Sequence, residues 1–418
     1  MSLKNKHRKE TIYTFPFCFL LFEFVFGMYL NDVFTSVLSF ADEVLQIILF
    51  LWTMKYAFFS KKQPFNKETC IFAIIAIFYL VYSFYIRSNV GIAILSDFLI
   101  QLKPFVAFYM IGYIGFTLTN QQKWVLKKIC LLLFFITAIV GILSLTSGSL
   151  RILYYTFEHA TRYGTALVLI GLTYLFCSDL RNKKDILIFI LILSFSLISL
   201  RAKIFGFYGV AVFLILFLRG NIEIKISLKN IIIATCIIAI AGYLALDKLY
   251  YYFIDFSVDN EHSLARPMLF LAASEILLDY FPFGSGLASF ATHYSGVYYS
   301  SIYGEYNLDI IWGLLEGEAS FITDTQYPSI AQFGVVGFIL FSIFWTRIVI
   351  KANKLKRATN DNNSFLIIIL ILIFLAIESV GDAVFTGNRG FYCMTLLALA
   401  LNTLREKQSS IESQDAHL

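Results

Sequence analysis

A short polar run, Thr323-Asp324-Thr325-Gln326-Tyr327, stands immediately before a long apolar stretch of this chain. A carboxylate at the point where a chain enters an apolar environment is partly desolvated, which raises its basicity and suits a general base. Asp324 is therefore the first candidate base and Glu318 the second. An aspartate before a helix also caps free backbone amides, an alternative of equal weight that is compatible with the first. His262 and His293 are weaker candidates.

Two cations crowd the short turn Ser199-Leu200-Arg201-Ala202-Lys203 between two apolar stretches. Arginine binds phosphate oxygens through paired hydrogen bonds, so converging cations suit the phosphates of a lipid substrate. Internal carboxylates are the second explanation for such charges, and ordinary snorkelling to lipid headgroups is the third. The other cations considered for the same site are Arg162, Arg266 and Arg389.

Aromatic side chains are concentrated between 293 and 327. A tyrosine ring offers an apolar face and a hydroxyl donor, which suits stacking on sugars and equally suits a membrane interface. The residues predicted to bind saccharide are His293, Tyr294, Tyr298, Tyr299 and Tyr327.

Composition indicates the kind of scaffold that must position these groups. The chain is 59% hydrophobic and only 15% charged, whereas soluble domains are near half apolar and a quarter charged. An excess this large along 418 residues predicts an all-α polytopic membrane protein, a single integral membrane domain over 1–418. The six cysteines lie in or beside apolar stretches without metal-ligand spacing, so no metal site is expected.

Apolar runs of spanning length predict twelve transmembrane helices. The fourth contains Lys103 and Pro104, so its start is expected to be irregular. The second is interrupted by Asp42 and Glu43. The predicted spans are 12–30, 35–59, 69–86, 98–118, 124–146, 163–179, 184–200, 203–219, 230–247, 327–349, 364–384 and 389–404.

The charges orient these spans. With the N-terminus inside, all but nine of the 33 Lys and Arg residues fall in cytoplasmic segments, as the positive-inside rule requires. Twelve spans return the C-terminus to the cytoplasm, where 405–418 is expected to be a short disordered tail. Residues 248–326 then form a large external loop between spans 9 and 10. In it, Arg266 and Pro267 open an amphipathic helix.

The order of these features resembles the O-antigen polymerase (Wzy) family, within the O-antigen polymerase and ligase superfamily of bacterial inner membranes. The resemblance rests on Ser-Leu-Arg201-Ala-Lys at an outer turn, Arg266 before a helix, Phe-Pro-Phe-Gly-Ser-Gly286, Thr-Asp324-Thr-Gln-Tyr327, and the spaced Gly334 and Gly337. It covers the topology of the whole chain, whereas the motifs cover roughly residues 199–340.

The resemblance implies a GT-C-like, metal-independent glycosyltransferase without a cofactor. Its substrates would be oligosaccharides linked to undecaprenyl diphosphate, and its site would face the periplasm. Arg201 and Arg266, supported by Lys203, Arg162 and Arg389, would stabilise the departing diphosphate, and Asp324 or Glu318 would take the proton of the attacking hydroxyl. The external loop would close over the Arg201 turn.

The expected partners are the lipid-linked donor and acceptor, membrane lipids and a chain-length regulator protein, with no nucleic acid. Ligases typically have His-Asn where this chain has Asp324-Thr325, so the resemblance favours a polymerase over a ligase acting on lipid A-core. A flippase or other transporter is the alternative from another class. It is disfavoured because no internal repeat is visible and the unusual charges lie toward one face.

Overall fold

Helices make up nearly all the regular structure in the computed structural model, which describes residues 14–33, 41–59, 67–218 and 265–415. Within these ranges there is no β-strand, only one isolated bridge between Leu315 and Glu318. The helices are α1 (Phe15–Val33, π-helical over Glu23–Leu30), α2 (Ala41–Phe59), α3 (Lys67–Ile86), α4 (Gly91–Ile114), α5 (Asn120–Thr146), α6 (Arg151–Phe157), α7 (Ala160–Phe176), α8 (Lys183–Ser196), α9 (Ala202–Leu218), α10 (Ala265–Asp279), α11 (His293–Val297), α12 (Ile302–Glu305), α13 (Gly334–Thr359), α14 (Asn362–Glu378) and α15 (Asn388–Asp415). Two 3₁₀ segments, Leu197–Ser199 and Tyr327–Phe333, precede α9 and α13.

Eleven of the predicted spans overlap these helices, and the remaining one, 230–247, lies outside the described residues. Among the described residues, five segments are long and apolar enough to cross a bilayer: α1, α3, α4, α5 and Tyr327–Thr359. Shorter apolar helices accompany them at Asn362–Glu378 and in α9. The part of the chain that the structure describes is therefore nearly all-helical, with several long apolar helices that suit a membrane protein. The count of twelve spans stays a prediction.

Helix α7 lies in the middle of the packing. Every residue of Ala160–Phe176 except Arg162 is buried, and residues 390–404 of α15 are buried as well. A helix that is apolar on all sides must be enclosed by protein or lipid. By contrast, large apolar side chains such as Val81 and Phe135 are exposed, as expected where a helix faces lipid.

The predicted irregular start of the fourth span was wrong. Helix α4 runs unbroken from Gly91 to Ile114 with Pro104 inside it, which membrane helices tolerate when neighbouring groups satisfy the freed backbone. Buried Lys103 forms ion pairs with Asp42 and, at 2.9 Å, with Glu43. The carboxylates that interrupt the second predicted span therefore neutralise a cation of the fourth.

The predicted disorder of the tail was also wrong as far as Asp415, because α15 continues that far without a break. Lys407 in this extension forms an ion pair with Asp361 at the start of α14, with 2.5 Å between Nζ and Oδ2. The last turns of α15 are thus fastened to the neighbouring helix.

Residues 265–326 form a small unit with an apolar core of its own. Leu269 and Ile276 of α10 pack with Phe290, Tyr303 and Leu314. The predicted helix is therefore confirmed, as α10. Its predicted amphipathic character was wrong, because Leu269 and Ile276 are buried while Leu271 and Leu278 are exposed on other sides of the helix.

The turn after α10 fastens the unit to α3 and α4. The backbone N–H of Leu287 donates to Ser83 Oγ and that of Ala288 to Asp97 Oδ2, both at 2.8 Å. The amide of Asn89 donates to the Ala288 carbonyl at 2.7 Å. Because these polar groups are paired at the bundle surface, the loop has a defined position on it.

Gly284→Ala is expected to destabilise the protein more than the matched control Gly317→Ala. Gly284 has φ of +84°, and a Cβ there would collide with backbone atoms of Ala331, Gln332 and Gly334. Gly317 has φ of +81° but open space around it, so Gly317→Ala should cost only the left-handed strain of about 1–2 kcal/mol. Overpacking should add about 1–3 kcal/mol to Gly284→Ala.

The measurement is the midpoint temperature at which the purified protein loses its monodisperse chromatographic peak. Equal midpoints for Gly284→Ala and Gly317→Ala would contradict the close packing of this turn.

Candidate functional site

Four of the five predicted phosphate-binding cations gather at one end of the helices and are called the cation cluster below. Arg162, Lys203 and Arg389 lie in the first turns of α7, α9 and α15, and Arg201 directly precedes α9. Arg201, Arg162 and Lys203 are all close enough to His159 to lower its pKa. Arg389 and Arg162 both interact electrostatically with Asp32, so residues more than 200 positions apart in the sequence meet at one place.

Arg389 is held by two carboxylates. Its Nη2 lies 3.1 Å from Asp32 Oδ1 and its Nη1 lies 2.8 Å from Asp382 Oδ2. Only 12% of the Arg389 side chain is exposed, and a guanidinium removed from water needs such partners. The pairs join α1, α15 and the connection between α14 and α15.

Lys203 is paired in a similar way. Its Nζ lies 2.6 Å from Glu378 Oε1 and donates to the Gly381 carbonyl at 3.2 Å. Glu378 is almost fully buried. Lys203 therefore links the start of α9 to the end of α14.

Lys203→Met is expected to lower stability by about 3–5 kcal/mol, because it leaves the Glu378 carboxylate buried and unpaired. The double variant Lys203→Met/Glu378→Met should recover most of this loss, since neither charge remains. Lys351→Met is the control: the Lys351–Glu68 pair is well exposed and should contribute no more than about 1 kcal/mol. Thermal midpoints of the purified variants would test this, and a double variant as unstable as Lys203→Met would contradict it.

Arg162 lies one helical turn from Glu158, with 2.6 Å between Nη1 and Oε2. Both side chains are partly exposed. An ion pair that remains in contact with water contributes little to stability, so Arg162 can change partner at low cost.

Arg201 differs from the rest of the cluster. Its Nη2 donates to the Tyr154 hydroxyl at 3.1 Å and lies 3.1 Å from His159 Nε2. Within the described ranges no carboxylate pairs with it. Internal carboxylates thus explain Arg389, Lys203 and Arg162, whereas Arg201 is the cluster member best placed to receive an external anion.

Arg266, the fifth predicted cation, is engaged elsewhere. Its Nη2 lies 2.7 Å from Asp324 Oδ2, and both side chains are partly exposed. The predicted diphosphate ligand and the predicted base therefore contact each other. The capping role proposed for Asp324 was wrong, because the next helical segment starts at Tyr327 with Gln326 as its N-cap residue.

The connection between α14 and α15 joins the two groups of residues. The backbone N–H of Gln326 donates to the Ser379 carbonyl at 3.0 Å, and that of Ala383 donates to the Thr323 carbonyl at 3.1 Å. The same connection supplies Gly381 to Lys203 and Asp382 to Arg389. Asp324 and the cation cluster thus flank one short segment of chain.

The predicted saccharide-binding residues separate into three groups. His293, Tyr294 and Tyr298 form one aromatic row, with ring centroids 5.1 and 6.3 Å apart. The Tyr299 hydroxyl donates to the Leu314 carbonyl at 2.6 Å and its ring stacks on Tyr303.

These contacts give Tyr299 a role in the core of the loop unit.

Burial lowers the pKa of His293, and the negative charge of Glu43 raises it. The last predicted saccharide-binding residue, Tyr327, lies apart from the row. Tyr327 donates to the Ala376 carbonyl at 2.7 Å. Glu318 is exposed in a turn, while His262 lies outside the described residues.

A cavity of about 560 Å³ runs along α3, α4, α13 and α14. Its lining is mainly apolar, with rings such as Phe72, Phe105 and Phe344. Gln326, Tyr327 and Ser379 line one end and Glu68, Arg347 and Lys351 line the other. The first end adjoins the segment that contains Asp324.

Sequence analysis missed five residues of this site. Asp32, Glu378 and Asp382 lie at the outer ends of predicted spans, as do the cations they neutralise, and that shared position was the available signal. Tyr154 and His159 precede Arg162 in the sequence. Burial is the main cause that lowers the pKa of His159, and Arg201, Arg162 and Lys203 lower it further.

No protein-family model matches the chain, and no curated protein matches it either.

Proposed function

We propose that the chain is a membrane glycosyltransferase that polymerises a lipid-linked surface glycan, as O-antigen polymerases do. The growing glycan would pass from its undecaprenyl diphosphate carrier to a second lipid-linked repeat unit at the outer face of the bacterial inner membrane. The observation that carries the proposal is that the connection between α14 and α15 is hydrogen-bonded to the Asp324 segment and also contacts Lys203 and Arg389 of the cation cluster. Within that cluster Arg201 is the cation without a carboxylate partner among the described residues.

The reaction needs a site for the leaving diphosphate. The acceptor hydroxyl oxygen forms a bond to the anomeric carbon, and the bond from that carbon to the diphosphate oxygen breaks with its electron pair. Cations aimed at this developing charge lower the barrier. Arg201 is the first candidate for this role and Arg162 the second, because its carboxylate partner is exposed and exchangeable.

The reaction also needs an acceptor for the hydroxyl proton. The Asp324 carboxylate is partly exposed and stands at the entrance to an apolar segment. In this proposal Arg266 orients that carboxylate and does not bind the diphosphate. The row formed by His293, Tyr294 and Tyr298 offers ring faces for sugars.

The apolar cavity supports a lipid carrier. Its length follows α13, where the lining residues Gly337 and Lys351 are 14 positions apart, or about 21 Å along a helix. A polyprenyl chain has no polar group to satisfy and would bury apolar surface there. Its diphosphate would then emerge near Gln326 and Ser379.

The charge distribution supports the orientation. At the end opposite the cation cluster, Lys127 pairs with Asp185 and Lys407 with Asp361. These residues belong to segments assigned to the cytoplasm by the positive-inside rule. In this orientation the cation cluster faces the periplasm.

The proposal is tested with purified protein in detergent and a radiolabelled repeat unit on undecaprenyl diphosphate. Polymerase activity would give a ladder of longer lipid-linked glycans with release of undecaprenyl diphosphate. Transfer only when lipid A-core is supplied would identify a ligase. If neither product forms and glycan instead crosses the membrane of proteoliposomes, the protein is a transporter and the proposal falls.

A further inference from the structure

Tyr154, His159 and Arg201 form an open polar group beside the cation cluster. The rings of Tyr154 and His159 meet edge to face at 5.7 Å, and all three side chains retain exposure to solvent. Tyr154 lies in α6 and His159 directly precedes α7, whereas Arg201 comes from the turn before α9. An anion arriving from outside the bundle would meet these groups directly.

His159 has a hydrogen-bond donor beside each of its ring nitrogens, one more than a neutral imidazole can accept from. The backbone N–H of Thr161 donates to His159 Nδ1 at 3.3 Å, which caps α7, and Arg201 Nη2 approaches Nε2 at 3.1 Å. Both neighbours can only donate, while a neutral imidazole has only one nitrogen that accepts. If Nδ1 accepts from Thr161, Nε2 carries a hydrogen that faces the guanidinium. Two donors then point at each other with no acceptor between them.

A phosphate oxygen is the kind of atom that resolves this conflict. Placed to one side of the two nitrogens, which lie 3.1 Å apart, it would accept from both the imidazole and the guanidinium, and the Tyr154 hydroxyl is within reach of Arg201 as a third donor. The same oxygen would bring negative charge next to the imidazole, so the protonated ring would be stabilised.

The charged groups around His159 come from every element that packs on it. Glu158 and Arg162 flank it in sequence, Arg201 and Lys203 come from the start of α9, and Asp382 comes from the connection between α14 and α15. Burial, Arg201, Arg162 and Lys203 lower the pKa of the ring, and Asp382 raises it. The ring is therefore neutral near pH 7 until an anion offsets these cations.

We propose that His159 and Arg201 form a two-point phosphate site in which His159 takes up a proton from solvent when the phosphate binds. That the natural ligand is the diphosphate of the lipid carrier rests on the proposed function. The imidazolium would then donate to the bound phosphate, and diphosphate binding would weaken as pH rises.

The experiment is calorimetric titration of the purified full-length protein with inorganic diphosphate. Running it in two buffers that differ in ionisation enthalpy gives the number of protons taken up. The expected result is uptake of up to one proton per diphosphate beyond the ligand's own proton exchange, with affinity for the fully ionised diphosphate falling up to tenfold per pH unit above the pKa of free His159. Because this measurement uses the unaltered protein, it does not depend on the folding of a variant. Histidine changes its charge between roughly pH 5.5 and 8.5. Binding without proton uptake at every pH in this range would overturn the proposal.

His159→Asn supplies the second arm. Asparagine can still cap α7 through its side-chain oxygen but cannot titrate, so proton uptake should disappear and affinity should fall at least tenfold at low pH. Arg151→Ala removes an exposed cation at the start of α6 and should leave proton uptake unchanged. Undiminished uptake in His159→Asn would assign the proton to another group and overturn the proposal.

Two further ligands identify the source of the phosphate. Farnesyl diphosphate represents a prenyl carrier and dioleoyl phosphatidic acid represents a membrane lipid. Tighter binding of farnesyl diphosphate than of inorganic diphosphate, with the same proton uptake, supports a carrier site. Preference for phosphatidic acid would make this a headgroup site and overturn the assignment to the carrier. Failure of glycan transfer alongside intact proton-linked binding would refute the proposed function alone.

Discussion

Arg201→Ala should reduce glycan transfer by about 100-fold or more, the range observed when one preorganised donor to a developing negative charge is removed. Arg201 is the cluster cation whose described contacts are a tyrosine hydroxyl and a histidine nitrogen instead of a carboxylate. Its charge is therefore available to the departing diphosphate. The measurement is the initial rate at which lipid-linked repeat units are converted to longer products by purified protein.

Matched variants separate this role from a general effect of charge. Arg201→Lys keeps the charge but loses the planar fork that binds two phosphate oxygens, so its rate should lie between those of the alanine variant and the unaltered protein. Arg151→Ala removes an exposed arginine from the same end of the helices and should transfer at the normal rate. A normal rate for Arg201→Ala, at normal expression, would remove Arg201 from the site.

The gathering of the cations was predictable from the sequence. Arg162, Arg201, Lys203 and Arg389 all adjoin ends of apolar runs, and alternating spans return every second end to the same face. In the predicted orientation these cations also lie on the face that the positive-inside rule disfavours, where positive charge needs compensation. Local composition and a count of spans are enough to predict this gathering, without knowledge of any distant contact.

The partners of the cations were not predictable in the same way. Asp32 reaches Arg389 across 357 positions of sequence, and such a pairing depends on how the helices pack. The same holds for Lys103 with Asp42 and Glu43, where the sequence indicated two interrupted spans and the bundle contains one buried ion-pair group.

Side-chain roles in the loop unit depended on packing too. Tyrosine composition alone treats Tyr298 and Tyr299 alike, although one is exposed and the other bonds to the Leu314 carbonyl. Adjacent residues in a tight turn point in different directions. Which of the two rings remains available to a ligand therefore depends on how this turn packs against the rest of the loop unit.

Asp324→Asn is the second substitution for which a large loss is expected, because removing a general base typically costs about 10²–10⁴ in rate. Asparagine has nearly the same shape and can still accept a hydrogen bond from Arg266, so the contact at 2.7 Å has a neutral replacement. The loss should therefore appear in the transfer rate, with little change in the thermal midpoint. The rate is measured at saturating acceptor, which separates proton transfer from substrate binding.

Glu318→Gln decides which carboxylate takes the proton. Glu318 is exposed in its turn and makes its described contact through the backbone, to the Leu315 carbonyl, whereas Asp324 is joined through Gln326 and Thr323 to the connection beside the cation cluster. A base must be held within hydrogen-bond reach of the hydroxyl that attacks, and only Asp324 has such support. Glu318→Gln should consequently transfer at close to the normal rate. The reverse pattern, a fast Asp324→Asn and a slow Glu318→Gln, would move the base to Glu318 and leave the Arg266–Asp324 pair as an attachment between the loop unit and the rest of the protein.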